Sequence, residues 1–244
     1  MKTSQGFLLV IEGIDGSGKT TQIELLKQYL ASQVFDPEGF DGELSRTAQT
    51  RRGEALQVEV ISFPRYEDNL YGKLIKRYLE GEFGEISNVN PYLMALAFAG
   101  DRLLAKPLIE SWLQSGKVVV ANRYVSSSKA HLSANLPEEK REEFMSWIDQ
   151  LEYQTNGMPK PDLTVLLNID PKTGQKNARK ESEIDIHEEN LAHLEAAGKI
   201  YLELSKSEDG WVLIECMENL NMKSKEEIQK KILEILTNKA VFTI

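Results

Sequence analysis

The sequence predicts an α/β fold, and three observations carry that expectation. Five short runs of apolar and β-branched residues, at 7–11, 56–63, 118–121, 163–168 and 211–216, recur along the 244 residues and have strand length and composition. Between them apolar residues return every three to four positions, the period of a helix with one face on a core. The first run passes into Gly13-Ile14-Asp15-Gly16-Ser17-Gly18-Lys19-Thr20 and then directly into a helical pattern, the setting in which a glycine-rich turn cradles phosphate.

In that turn the three glycines allow backbone N–H groups to face a polyphosphate, and the helix behind it adds the positive end of its dipole. Lys19 is placed for the β and γ phosphates and the Thr20 hydroxyl for Mg²⁺. Nucleoside triphosphate binding is the premise for the remaining chain.

The helix after the loop carries Ile23, Leu26 and Leu30 on one stripe. Residues 33–55 show neither period, hold turn formers and the arginines Arg46, Arg51 and Arg52, and read as a surface insertion. The second strand ends at Phe63-Pro64-Arg65-Tyr66. Ligands of open α/β sheets gather beyond the carboxyl ends of strands, which puts Arg65 near the loop's ligand; an ordinary surface arginine fits its position equally well. Helices are expected over 70–79 and 91–115, the second carrying Phe98 and Arg102 four residues apart on one face. That pair suits a flat base, although in isolation such a pair is more commonly a core aromatic beside an arginine paired with a carboxylate.

The third strand ends at Asn122-Arg123-Tyr124, followed by Ser126-Ser127-Ser128; a strand-end arginine beside a phosphate loop can clamp a migrating phosphoryl group. A helix over 138–154 leads to the fourth strand, 163–168, so apolar throughout that it belongs in the middle of a parallel sheet. Next come Lys176, Arg179 and Lys180 followed by acidic residues, either a solvated helix face or a lid. Leu191, Leu194, Tyr201 and Leu204 mark another helix, and Ser224 with Glu227 forms a capping box for the last one.

Hydrophobic residues make up 41% and charged residues 27%, a globular balance. Acids outnumber bases 38 to 29, for a net charge of −9, which argues against a nucleic-acid partner. With no long apolar run, a membrane partner is not expected either; one domain in the cytoplasm is. The single cysteine, Cys216, reads as a small buried hydrophobe. His131, His187 and His193 lack metal-ligand spacing, so the metal expected is Mg²⁺ arriving as Mg-ATP.

A GTPase switch needs Asn-Lys-x-Asp, and the nearest string is Asn238-Lys239-Ala240-Val241. An ATPase motor needs a strand ending in an acid, and the third strand ends in Asn122. A small kinase, with arginines from several segments around two nucleotides, is what remains.

The ordered set Glu12-Gly13-Ile14-Asp15-Gly16-Ser17-Gly18-Lys19-Thr20-Thr21-Gln22, Phe63-Pro64-Arg65-Tyr66, Phe98-Ala99-Gly100-Asp101-Arg102, Asn122-Arg123-Tyr124 and Lys160-Pro161-Asp162-Leu163 resembles the thymidylate kinase family. The resemblance implies one P-loop kinase domain over 1–244, built on a five-stranded parallel sheet flanked by helices. It implies Mg²⁺-dependent transfer of the ATP γ-phosphoryl group to dTMP, giving dTDP and ADP, in a homodimer. Gly13, Asp15, Gly16, Ser17, Gly18, Lys19, Thr20 and Thr21 would bind ATP, with Thr20 on Mg²⁺. Asp15 would meet the acceptor's 3′-hydroxyl, Arg65 and Arg123 its phosphate, Phe98 the face of its base and Arg102 a base carbonyl; Phe63, Ser127, Ser128 and His131 complete that site. Family members without a loop arginine supply one from the lid, here about 174–188, which makes Arg179 the third catalytic candidate beside Lys19 and Arg123. Asn122 stands where the family usually has Asp, which keeps a catalytically weak nucleotide-binding protein in view. Ser128 stands where some members have Asn, and His131-Leu132 replaces a common Tyr-Gln pair, which keeps another pyrimidine acceptor in view.

Overall fold

The structure, a computed structural model, describes residues 6–32, 57–84, 88–181 and 190–239. Its sheet comprises β1 (Phe7–Glu12), β2 (Val58–Ser62), β3 (Val118–Asn122), β4 (Leu163–Asn168) and β5 (Trp211–Glu215), all neighbours parallel, in the order β2-β3-β1-β4-β5. The helices are α1 (Lys19–Ser32), α2 (Leu70–Leu79), α3 (Pro91–Gln114), α4 (Val125–Ser133), α5 (Glu138–Asp149), α6 (Pro171–Glu181), α7 (Leu191–Ser207) and α8 (Lys225–Asn238). The five strands and their helical connections are as the sequence predicts. The insertion expected at 33–55 lies outside the described residues, as does the lid beyond α6 up to 189.

β1 is apolar on both faces because both are covered. Leu9 and Ile11 join Ile23 and Leu26 of α1 and Leu194 and Ile200 of α7 in one core, while Leu8 and Val10 join Ile75 of α2 and Ala105 and Ile109 of α3 in the other. Local chemistry sets the helix starts. The Asn69 side chain accepts from Gly72 N to cap α2, and Ser224 and Glu227 form the expected reciprocal box at α8.

Three features differ from expectation. The helix predicted over 138–154 is α-helical only to Asp149 and continues as a π-turn over Gln150–Thr155. Residues 125–133, read only as a source of hydroxyls, form α4. A small hairpin, β6 (Met217–Glu218) and β7 (Asn221–Met222), follows β5.

The strand order locates the ligand crevice. β1 sends its connection to β2 on one side, and its neighbour β3 sends its own to β4 on the other. Adjacent strands with diverging connections leave an opening beyond their carboxyl ends. The loop from Gly13 to Gly18 and the Arg123 turn border it.

Candidate active site

The phosphate loop is held open by its glycines. Gly13 and Gly16 have φ of +147° and +71°, and a Cβ at Gly16 would lie 2.1 Å from the carbonyl oxygen of Gly174 in α6. No larger residue fits there while α6 sits on the loop, so a loop arginine at this position is sterically excluded. Lys19 folds back across the loop, donating to the carbonyls of Gly13 (2.9 Å) and Ile14 (3.0 Å). The Asn122 amide donates to Thr20 Oγ1 at 3.4 Å, and Asn122 Oδ1 is buried with no hydrogen-bond partner.

Beside the loop, Arg123 adopts a left-handed φ of +64°, a conformation that costs energy in a non-glycine residue and is found where a side chain must be aimed. Its N–H still reaches Ile11 O at 3.1 Å, and its guanidinium turns towards the loop. Nη2 donates to Asp15 Oδ1; Nη1 donates to Gly13 O (3.3 Å), Ser127 Oγ (3.2 Å) and the Tyr201 hydroxyl (3.4 Å), and it faces His131 Nε2 at 3.2 Å. Burial by itself would raise the Asp15 carboxyl; Arg123, then Lys19, outweigh it and hold the group well below its ordinary value. Burial would likewise lower Arg123, and Asp15, Tyr201 and Glu12 overcome it and keep the guanidinium charged.

Glu12 organises this turn. It is fully buried at the end of β1, and both its oxygens are satisfied, as a buried charge requires. Oε1 accepts from Tyr124 N (2.9 Å) and Ser126 Oγ (2.7 Å), and Oε2 accepts from Ser127 Oγ (2.8 Å) and the Tyr201 hydroxyl (2.9 Å). One carboxylate thereby ties the β1 end to the β3 end. Sequence reasoning quoted Glu12 only as part of a motif; the available signal was an acid closing an otherwise apolar strand.

Two clefts meet at this point. The first, about 590 Å³, is lined by Gly16, Gly18, Lys19, Thr20, Thr21 and Asn122. The second, about 570 Å³, is lined by Phe98, Arg102, Ser127, Ser128, His131 and Leu132. Asp15, Phe63 and Arg123 belong to both.

Arg102 sits at the floor of the second cleft, 2% exposed. Glu152, on the π-turn, accepts from its Nε at 2.8 Å, and Ser128 Oγ accepts from its Nη2 at 2.7 Å. The turn thus has a use: it carries Glu152 to the buried guanidinium. Arg65 is not brought to either lining. Its Nε donates to Asp101 Oδ1 (3.0 Å) and its Nη2 to Asp101 O (2.8 Å), while Asp101 Oδ2 accepts from Arg65 N (2.9 Å). Ser17 is buried under the loop and lines neither cleft. The backbone of Arg179 lies in α6, and its side chain falls outside the described residues. The first turns of α6 do reach the loop, where Asn177 Nδ2 donates to Gly16 O at 3.1 Å.

Burial lowers His193 to about 4, from an ordinary 6.5. Between these values the unfolded chain binds a proton that the folded one refuses, so stability is full above pH 6.5 and falls as the pH drops towards 4. The loss should reach about 3 kcal/mol. Urea denaturation at pH 7 and pH 4.5 measures it, and His193→Gln should flatten the dependence.

Among the described residues no helix is long and apolar enough to cross a membrane. None of the acidic, histidine or cysteine groups among them could hold a metal ion alone.

Comparison with known proteins agrees with this geometry. The family model described as thymidylate kinase matches residues 45–232, a stretch that begins after the phosphate loop, so the loop and the match are separate observations. The thymidylate kinase of Mycobacterium tuberculosis is 29% identical over 210 residues, 84% of this chain and 87% of that one. The probable thymidylate kinase of Methanosphaera stadtmanae is 31% identical over 229 residues, 93% of this chain and 98% of its own. A solved thymidylate kinase from Candida albicans, described as having broad substrate specificity, superposes with a TM-score of 0.70 at 22% identity, over 98% of this chain and 94% of that one, and so shares the fold. From the motif order, the two joined clefts and these matches together, the chain belongs to the thymidylate kinase family.

Proposed function

We propose that this protein transfers the γ-phosphoryl group of ATP to dTMP, giving dTDP and ADP. The observation that carries the reading is the junction of the two clefts at Asp15 and Arg123. ATP extends along the loop cleft and dTMP fills the cleft over Arg102. In this reaction an oxygen of the dTMP phosphate forms a bond to the γ-phosphorus as the bond to the ADP oxygen breaks. The attacking oxygen is already anionic at neutral pH, so no general base is needed. The work is positioning and charge stabilisation. Arg123 spans the acceptor phosphate and the migrating group, Lys19 holds the β and γ phosphates, and Asp15 orients the acceptor's sugar. Phe98 stacks on the base, and Arg102, pinned by Glu152, donates to a base carbonyl.

Mg²⁺ fits the residues present. Thr20 Oγ1 and the unpartnered Asn122 Oδ1 supply oxygen donors at the loop, the donor type this ion requires. When bound it neutralises phosphate charge. Arg179 belongs to the same reading as the lid arginine: Arg179→Ala should lower kcat more than tenfold with KM for dTMP little changed, in a coupled ADP-release assay. A silent variant would remove it from the mechanism.

Turnover of a panel of nucleoside monophosphates with Mg-ATP tests the main reading. dTMP should be preferred, and brisk turnover of another acceptor without dTMP would reassign the site. Two observations keep specific alternatives in the test. The neutral Asn122 would make a poor catalyst if tight ATP and dTMP binding came without product. Ser128 at the base end makes dUMP the informative competitor.

A homodimer is part of the proposal. Leu93, Leu96, Leu103, Leu104 and Leu108 of α3 are 41–63% exposed and recur at helical spacing, an apolar stripe of the kind that marks an interface. Leu104→Glu should halve the mass in light scattering. Kinship to a nucleotide-biosynthetic family also carries the expectation of a cytoplasmic site of action.

A further inference from the structure

Behind Arg123 lies a line of side chains that the phosphoryl-transfer chemistry does not use. His131 Nε2 is 3.2 Å from Arg123 Nη1, His131 Nδ1 is 3.4 Å from His193 Nε2, and His193 Nδ1 is 2.9 Å from Asn135 Oδ1. The two imidazole rings lie 5.6 Å apart at 31°. The line begins on α4, crosses to α7 and returns to Asn135 just beyond α4, so two chain segments are joined by it.

Its polarity is set from one end. A guanidinium carries only donors, so His131 Nε2, facing Nη1, must accept. A neutral His131 then carries its proton on Nδ1 and donates it to His193 Nε2. His193 in turn carries its proton on Nδ1 and donates it to Asn135 Oδ1. Reversing any link places two N–H groups face to face at Arg123. The surroundings favour the neutral form of His193, which is 5% exposed and which burial lowers to about 4.

We propose that Asn135 and His193 are positioning residues which, through His131, hold Arg123 in the orientation that receives the acceptor phosphate. This rests on the reading of Arg123 as the acceptor-phosphate arginine. Arg123 has several other partners, but those on Asp15 and Gly13 belong to the loop side, and Ser127 and Tyr201 are themselves committed to Glu12. His131 approaches from α4, and its ring position is set by His193. Protonation of His131 would turn its Nε2 into a donor and place a second cation against Arg123. Among the described residues, the charged and titratable groups facing it include Arg123 and Asp15 at the strand ends, Lys19 beyond Asp15, and His193 and Tyr201 on α7, with Glu12 behind Tyr201. Asp15 is already engaged with Arg123, so the added positive charge is only partly offset. Acid should therefore raise KM for dTMP before it affects KM for ATP.

Long-range proton–nitrogen correlation NMR of the full-length ¹⁵N-labelled protein reads the tautomers directly, with signals assigned through His131→Gln and His193→Gln. Both rings should be neutral and protonated on Nδ1, the less common tautomer of free imidazole. A wild-type His131 protonated on Nε2 overturns the relay, and it does so independently of any variant's folding or of which acceptor is phosphorylated. Kinetics supply the second readout. His193→Phe, which removes the acceptor while keeping a ring, should lower kcat/KM for dTMP about tenfold with KM for ATP changed less than about twofold. His193→Gln, whose amide oxygen can still accept, should recover most of the loss. Equal losses on both substrates, or none on dTMP, would refute the positioning role. Failure of wild type to use dTMP would instead remove the functional reading and leave the tautomers to decide the relay.

Discussion

Arg123→Ala is expected to lower kcat/KM for dTMP about 10³-fold, in line with the loss of a charged group aimed at a phosphoryl transition state. The substitution removes donors that no neighbour replaces. Arg123 is the arginine that borders both clefts, and Lys19, which lines the loop cleft with it, is already engaged with the loop carbonyls. Alanine is the informative choice because it keeps a Cβ at φ +64°; glycine would relax the backbone and mix two effects. Both kcat and KM for dTMP should change, while ATP affinity, read by titration with a non-hydrolysable analogue, stays within a few-fold. Arg123→Lys restores charge without the planar fork and should recover only part of the rate. Asp15 gives an independent check. With its principal counter-charge gone, burial dominates, so its carboxyl should titrate at higher pH than in wild type.

Those strand-end residues show what the sequence could and could not reveal. Strands and most helices were legible because burial on both faces demands continuous apolar runs, as in Leu8-Leu9-Val10-Ile11 and Val165-Leu166-Leu167. Their spatial order was not, since β3 lies beside β1 only through long crossovers that leave no local mark. α4 escaped notice because Ser126-Ser127-Ser128 favours turns and caps in isolation; in the fold, Ser126 and Ser127 spend their hydroxyls on Glu12. The loop, Phe98, Arg102 and Arg123 were nameable because each follows a strand end or shares a helix face. Their supports were not, because Glu152, Tyr201 and His193 sit in helical patterns where each reads as an ordinary position. Arg65 shows the reverse case. Its strand-end placement pointed to the ligand, and nothing in the sequence marked Asp101, thirty-six residues on, as the acceptor from its Nε.

Lys19→Ala should be the counterpart of the Arg123 variant, with kcat reduced about 10²- to 10³-fold, KM for ATP raised, and dTMP affinity nearly unchanged. The ammonium has two tasks. In the proposed function it places charge beside the β and γ phosphates, and its bonds to Gly13 O and Ile14 O tie the loop to its own first turn. Alanine removes both and also the aliphatic stem, which is largely buried, the residue being 8% exposed. Lys19→Met keeps the stem's volume without charge or donors, and so separates packing from the ammonium's two tasks. If the ammonium dominates, Met and Ala variants lose rate alike, and Ala loses more thermal stability than Met. Methionine turning over ATP within tenfold of wild type would mean that the loop does not hold the transferred phosphate. If Lys19 and Arg123 act on one migrating group, as the proposed function has it, their double variant should be less impaired than the product of the single losses. A multiplicative result would place them on separate steps.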